Sequence, residues 1–80
     1  MKYIMFEDFS GAPVPIIFPK RIDFTEMREQ IPYTKVLSAG HVHVSAGAVF
    51  TAHGESKSLK AQARAEDAGI ISAKLANPDI

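Results

Sequence analysis

Lys35-Val36-Leu37-Ser38-Ala39-Gly40-His41-Val42-His43-Val44, then Ser45-Ala46-Gly47, then Ala48-Val49-Phe50-Thr51-Ala52-His53 reads as two strands joined by a tight turn. Branched and aromatic side chains alternate with polar ones on both sides of a glycine-containing break, the pattern of a β-hairpin. Its register follows from requiring one buried face. A two-residue turn at Ala46-Gly47 sets Val42 and Val44 opposite Thr51 and Val49, mixing polar and apolar partners. A three-residue loop, Ser45-Ala46-Gly47 with Gly47 left-handed in a bulge, instead pairs Val44 with Ala48, Val42 with Phe50 and Gly40 with Ala52. That register is the one expected. Val42, Val44, Ala48, Phe50 and Ala52 then form an apolar face, and His41, His43, Val49, Thr51 and His53 form the other. The Ser-Ala-Gly at 38–40 repeats the turn sequence and reads as a bulge or as an alternative turn.

Upstream, Lys2-Tyr3-Ile4-Met5-Phe6-Glu7 has strand composition and Asp8-Phe9-Ser10-Gly11 is a turn cluster. Val14-Pro15-Ile16-Ile17-Phe18-Pro19 resumes the apolar run. Pro15 cannot donate to a ladder, so this strand belongs at an edge. A first hairpin results. Ile22-Asp23-Phe24-Thr25-Glu26-Met27 carries a helix start, with Asp23 able to cap, Glu26 able to reach back and Ile22 able to staple onto Met27. Phe24, Met27 and Ile31 share a helical face, and Pro32 ends the run. Downstream, the alternation in Ser58-Leu59-Lys60-Ala61-Gln62-Ala63-Arg64 predicts extended chain. A helix is predicted from Ala65: Glu66 and Asp67 suit its positive end, Ala68, Ile71 and Leu75 share a face, and Asn77-Pro78 stops it. The expected fold is α+β in the order ββαββα, two hairpins in a mainly antiparallel sheet with two short helices on one face.

The chain has 80 residues, nine basic and nine acidic side chains, 46% hydrophobic residues and no cysteine. That suits one small domain spanning residues 1–80 and excludes a disulfide scaffold. Zero net charge argues against nucleic acid, whose backbone demands clustered Lys and Arg. The apolar stretch Tyr3-Ile4-Met5-Phe6 is too short for a signal peptide, and no run approaches the ~20 residues of a membrane helix. The expected place is the cytoplasm, without membrane contact.

His41, His43 and His53 are the one chemically suggestive cluster. A His-x-His on a strand points both imidazoles one way, and a cross-strand neighbour adds a third nitrogen, as an open zinc site requires. No acidic or fourth ligand lies nearby in sequence, so a solvent-facing or partner-facing surface is the simpler account. His43-Val44-Ser45-Ala46-Gly47 lacks the first glycine of a nucleophile elbow. His53-Gly54-Glu55-Ser56-Lys57-Ser58 lacks the Gly-Lys-Ser/Thr order of a phosphate loop. Tyr3, Phe6, Phe9, Phe18, Phe24 and Phe50 are expected in the core, because so small a domain needs its aromatics inside.

Val14-Pro15-Ile16-Ile17-Phe18-Pro19, Val36-Leu37-Ser38-Ala39-Gly40-His41-Val42, Gly54-Glu55-Ser56-Lys57-Ser58-Leu59 and Arg64-Ala65-Glu66-Asp67-Ala68-Gly69-Ile70-Ile71 together resemble a family of small proteins encoded in phages and prophages of Gram-negative bacteria. In that family the last motif usually reads Ser-Arg-Pro-Glu-Asp, where this chain has Ala63-Arg64-Ala65-Glu66-Asp67. A proline there suits a first helical position. The family has no established activity, so the resemblance implies a phage setting and action inside the bacterial host, and transfers no catalytic residue. The function expected is that of a non-enzymatic accessory protein without cofactor. It would bind a host or phage protein through His41, His43, Val49, Thr51 and His53 and the strand Val14–Phe18, with inhibition of a host defence system as one role. The alternative is a small-molecule, nucleotide or metal binder using His41, His43 and His53, as a homodimer or other homo-oligomer.

Overall fold

The computed structural model describes residues 1–31, 35–45 and 49–76, with Leu75 and Ala76 described by backbone alone. The fold is α+β. Its elements are β1 (Lys2–Glu7), β2 (Pro13–Phe18), α1 (Phe24–Glu29), β3 (Lys35–Ser45), β4 (Val49–His53), β5 (Glu55–Ser56), β6 (Ala61–Gln62) and α2 (Asp67–Ala76). β2-β1-β3-β4 form an antiparallel sheet in that spatial order, and β5-β6 form a separate two-stranded ribbon. The expected order ββαββα therefore lacks β5 and β6, two-residue strands too short to leave a periodic signal.

β1 is the central strand. Tyr3, Ile4, Met5 and Phe6 are all buried, an unbroken apolar run between Lys2 and Glu7. Successive side chains point to opposite faces of a sheet, so such a run needs cover on both. Ile4 and Phe6 pack with Phe18, Phe24 and Ala39, joined by Met27 of α1, whereas Tyr3 and Met5 pack with Val42 and Ile71, joined by Ile70 of α2. The helices thus lie on opposite faces, not on one as expected. The four consecutive apolar residues of β1 were the signal for this.

Local chemistry explains the connections. At the first turn Asp8 Oδ1 accepts hydrogen bonds from the Ser10 N–H, the Ala12 N–H (2.9 Å each) and the Ser10 hydroxyl (2.6 Å), and Gly11 takes φ +87°. These bonds, the Ser10 hydroxyl foremost, hold the Asp8 carboxyl below its ordinary pKa. Phe9, expected in the core, stands on this turn 92% exposed. Since it contacts water rather than the core, Phe9→Ser is expected to leave thermal unfolding nearly unchanged, within about 0.5 kcal/mol. Calorimetry checks this.

α1 begins at Asp23 as expected, but the Asp23 side chain makes no capping bond, and its carbonyl accepts the Met27 N–H at 3.1 Å. Phe24, Met27 and Ile31 do share one face against the sheet, and Ile22 joins them. Pro32 lies outside the described residues, as do Ala46, Gly47, Ala48, Asn77, Pro78 and the side chain of Leu75.

β3 runs unbroken through Ser38-Ala39-Gly40, so no alternative turn forms there. Its pairing with β1 slips between Met5↔Ser38 and Phe6↔Val36, leaving Leu37 as an extra residue. A bulge of this kind turns two successive residues toward one face, and Leu37 packs into the α2-side core. Downstream, residues 57–60 form a turn rather than extended chain, with Leu59 N–H donating to Ser56 Oγ (3.3 Å) and Lys60 at φ 54°. Residues 65–66 are a turn, and α2 starts at Asp67.

Candidate functional site

The observed β3–β4 register pairs His41 with His53, Val42 with Ala52, His43 with Thr51, Val44 with Phe50 and Ser45 with Val49. The expected pairs Val44–Ala48, Val42–Phe50 and Gly40–Ala52 are therefore two residues out. The shift is even, so it leaves each side chain on its predicted face. Val42, Val44, Phe50 and Ala52 face the α2 side, and His41, His43, Val49, Thr51 and His53 share the α1 side.

On its face of the sheet α1 packs Phe24 and Met27 into a core with Ile4, Phe6, Phe18, Val36 and Ala39. Beside that core lies His41, whose ring meets Phe24 edge-on at 6.0 Å and stacks on His53 at 5.8 Å. Gly54, left-handed at φ +80°, brings the backbone against the same imidazole, where an added Cβ would lie 3.1 Å from His41 Cδ2. Burial, then His53, the amino terminus, Lys2 and Lys20, push the His41 pKa down. Lys2 is anchored beside it, donating to the Ile22 carbonyl at 2.9 Å with its ammonium 5.1 Å from the Phe24 ring centre. His41 is thus a half-buried neutral ring serving as the platform of the site.

His43, Val49, Thr51 and His53 are exposed, Val49 by 55%. The stacked His41 and His53 rings lie face to face at 27° rather than converging on a point. Among the described residues no three metal-ligating side chains come together, so this geometry does not assemble the zinc trio that the spacing suggested.

The two edges of the sheet differ. Pro13 lies opposite Glu7 and Pro15 opposite Met5, and the β1–β2 ladder continues through both. Their nitrogens therefore point outward, and β2 offers no N–H to a newcomer at either position. The strand Val14–Phe18, expected to help bind a partner, is a blunted edge. β4 carries no proline, lysine or carboxylate.

Glu66 and Asp67 both suit the positive end of α2, but Asp67 has a second role, for it is fully buried. It accepts hydrogen bonds from the Tyr3 hydroxyl (2.5 Å), the Arg64 N–H (2.9 Å) and Arg64 Nε (3.0 Å). Burial by itself raises the Asp67 pKa, but the bonds from Tyr3 and Arg64, helped by the nearby Ser38 hydroxyl, outweigh it and hold the carboxyl below its ordinary range. Burial, with Asp67 adding to it, pushes the Tyr3 phenol well above its ordinary range. The buried Ser38 Oγ lies beside the pair without a partner at hydrogen-bond geometry. Arg64-x-x-Asp67, with the side chain reaching back to the N–H three residues earlier, was the available signal.

Fold and site together define an α+β protein with an exposed, histidine-bearing strand pair at one end of an antiparallel sheet. No protein family, curated protein or solved structure matches this chain. Among the described residues no helix is long and apolar enough to cross a membrane.

Proposed function

We propose that this chain is a non-enzymatic binding protein that takes a host or phage protein on the face formed by His41, His43, Val49, Thr51 and His53. The observation that carries the reading is the exposure of His43, Val49, Thr51 and His53 on one face of the paired strands β3 and β4. A surface mixing apolar side chains and imidazoles, with no Lys, Arg, Asp or Glu among its members, has the depletion of charged residues found at the centre of a protein interface. A standard interface takes about 800 Å² per partner, against 5190 Å² of accessible surface here. The phage setting, the cytoplasmic site of action and inhibition of a host defence system rest on the family resemblance.

The test is capture of a partner from bacterial lysate, with and without phage infection, by tagged protein. Replacing His43, Thr51 and His53 together by alanine removes exposed side chains and spares His41. The expected result is a near-stoichiometric partner lost in the triple variant, with circular dichroism unchanged. Equal capture by both proteins sinks this face as the binding surface. A melting temperature raised by zinc or by a nucleotide would favour the ligand-binding reading, since a ligand of the native state alone stabilises it.

A further inference from the structure

We propose that the free edge of β4 pairs with β4 of a second copy of this chain, joining two four-stranded sheets into one eight-stranded sheet about a two-fold axis at Thr51. No described strand occupies that edge, and Val49-Phe50-Thr51-Ala52-His53 has no proline, no Lys, Arg, Asp or Glu, and no bulge in its pairing with β3. It uses the backbone edge of a strand whose Val49, Thr51 and His53 side chains also belong to the partner face proposed above, and its readout, self-association of the purified chain, is separate from partner capture.

The sequence of β4 argues for a second copy rather than a foreign strand. An antiparallel pair of identical strands is self-complementary and closes after two copies. Centred on Thr51, all five residues pair: Val49 with the second copy's His53, Phe50 with its Ala52, and Thr51 with its own counterpart. The even register keeps the faces aligned, apolar Phe50 and Ala52 on the α2 side of both copies. The strand has no Lys, Arg, Asp or Glu, so the pairing sets no like charges side by side, a conflict that destabilises cross-strand neighbours.

Exposed apolar groups gather at the same end. Met1, Val44 and Val49 are more than half exposed, and Met1, Ile17, Val42, Val44 and Phe50, with His43, line a mainly apolar depression of about 400 Å³. Pairing places the Phe50 edges of two such depressions next to each other across the seam. The blunted β2 edge supplies the other half of the design. With Pro13 and Pro15 facing outward there, the sheet grows at one edge only, so assembly stops at a dimer.

Sedimentation across the micromolar to millimolar range tests the mass, and cross-linking tests the axis. Thr51 is exposed, so Thr51→Lys and Thr51→Glu leave the monomer intact. Each alone is expected to weaken self-association by about tenfold or more through repulsion with its own copy. Mixing the two should restore dimers, now mixed ones. The chain has no cysteine, so Thr51→Cys should form an intermolecular disulfide on oxidation. Val49→Cys should not, because its counterpart would lie about 13 Å away, four residues along the strand at about 3.3 Å each. A monomer at every concentration overturns the proposal, as does cross-linking at Val49 as readily as at Thr51.

Discussion

Asp67→Ala protein is expected to unfold at least about 12 °C below the parent, from a loss of roughly 3–5 kcal/mol for a broken buried pair at about 4–8 °C per kcal/mol in a domain of this size. The cause is what the carboxylate leaves behind. Tyr3 is fully buried, and without Asp67 its hydroxyl has lost its acceptor. Arg64 loses its Nε partner and the acceptor of its N–H, which held the turn ahead of α2. An unsatisfied buried donor costs about 1–3 kcal/mol by itself, and the vacated volume adds to it. Should the alanine variant not fold, Asp67→Asn keeps the volume and removes only the charge. Tyr3→Phe, which deletes one bond to a charged acceptor, should lose about 1.5–3 kcal/mol. Glu66→Ala is the control: Glu66 lies 3.8 Å from Arg64 with its side chain 62% exposed, a pair worth about 1 kcal/mol at most.

The same pair sets a pH dependence at each end of the scale. The folded-state pKa of Asp67 is below its unfolded value, so its stabilisation is complete above about pH 4–5. It is lost as pH falls, because the unfolded chain takes up the proton first, until pH has passed the folded value. The folded-state pKa of Tyr3 is raised. Its contribution is complete below about pH 10 and is lost as pH rises beyond that. Urea midpoints measured across pH should show the acid slope reduced in Asp67→Asn and the alkaline slope reduced in Tyr3→Phe. Unchanged slopes would mean that Asp67 is not held as a buried carboxylate against a neutral Tyr3 phenol.

Gly40→Ala and Gly69→Ala are expected to shift stability in opposite directions. A Cβ on Gly40 would meet the His53 carbonyl oxygen at 2.6 Å, Ala63 Cβ at 3.2 Å and the Gly54 carbonyl at 3.4 Å. Two of these are backbone atoms, so β4 or the Gly54 turn must move. Overpacking of this kind costs about 1–3 kcal/mol, which exceeds the 0.4–1 kcal/mol or so gained by stiffening the unfolded chain. Around Gly69, inside α2, there is open space within 4 Å, so alanine should stabilise by about 1 kcal/mol through helix propensity alone. Chemical denaturation of both variants is the measurement. The Gly40 variant should also disturb the His41–His53 stack, visible as shifted imidazole resonances, since the clash falls on the His53 carbonyl.

The faces of the β3–β4 pair were legible because strand periodicity is local: side chains alternate whatever the register, so any even shift sorts them alike. The register itself was not, for it depends on where the connection sits: three residues at 45–47 were expected between the paired strands, whereas the pair Ser45↔Val49 puts the three intervening positions one residue further on. Phe9 was misplaced because composition says how many aromatics a small core needs but not which turn holds one away from it. The buried role of Asp67 was not legible, because a helix dipole explains its place in the first turn of α2 equally well whether or not a tyrosine 64 residues away reaches it.

Element identity in this chain is largely a local matter. The β1, β2, β3–β4 and α1 segments, the proline-marked edge and the histidine face all follow from side-chain alternation, turn residues and the missing N–H of proline. Tertiary structure decided the rest: that β1 is central with a helix on each face, that His41 is boxed by Phe24, His53 and Gly54, and that Tyr3, Arg64 and Asp67 meet. Those outcomes join residues far apart in the chain. Which of them meet is settled by which faces must be buried together, a condition on the whole fold that no local pattern contains.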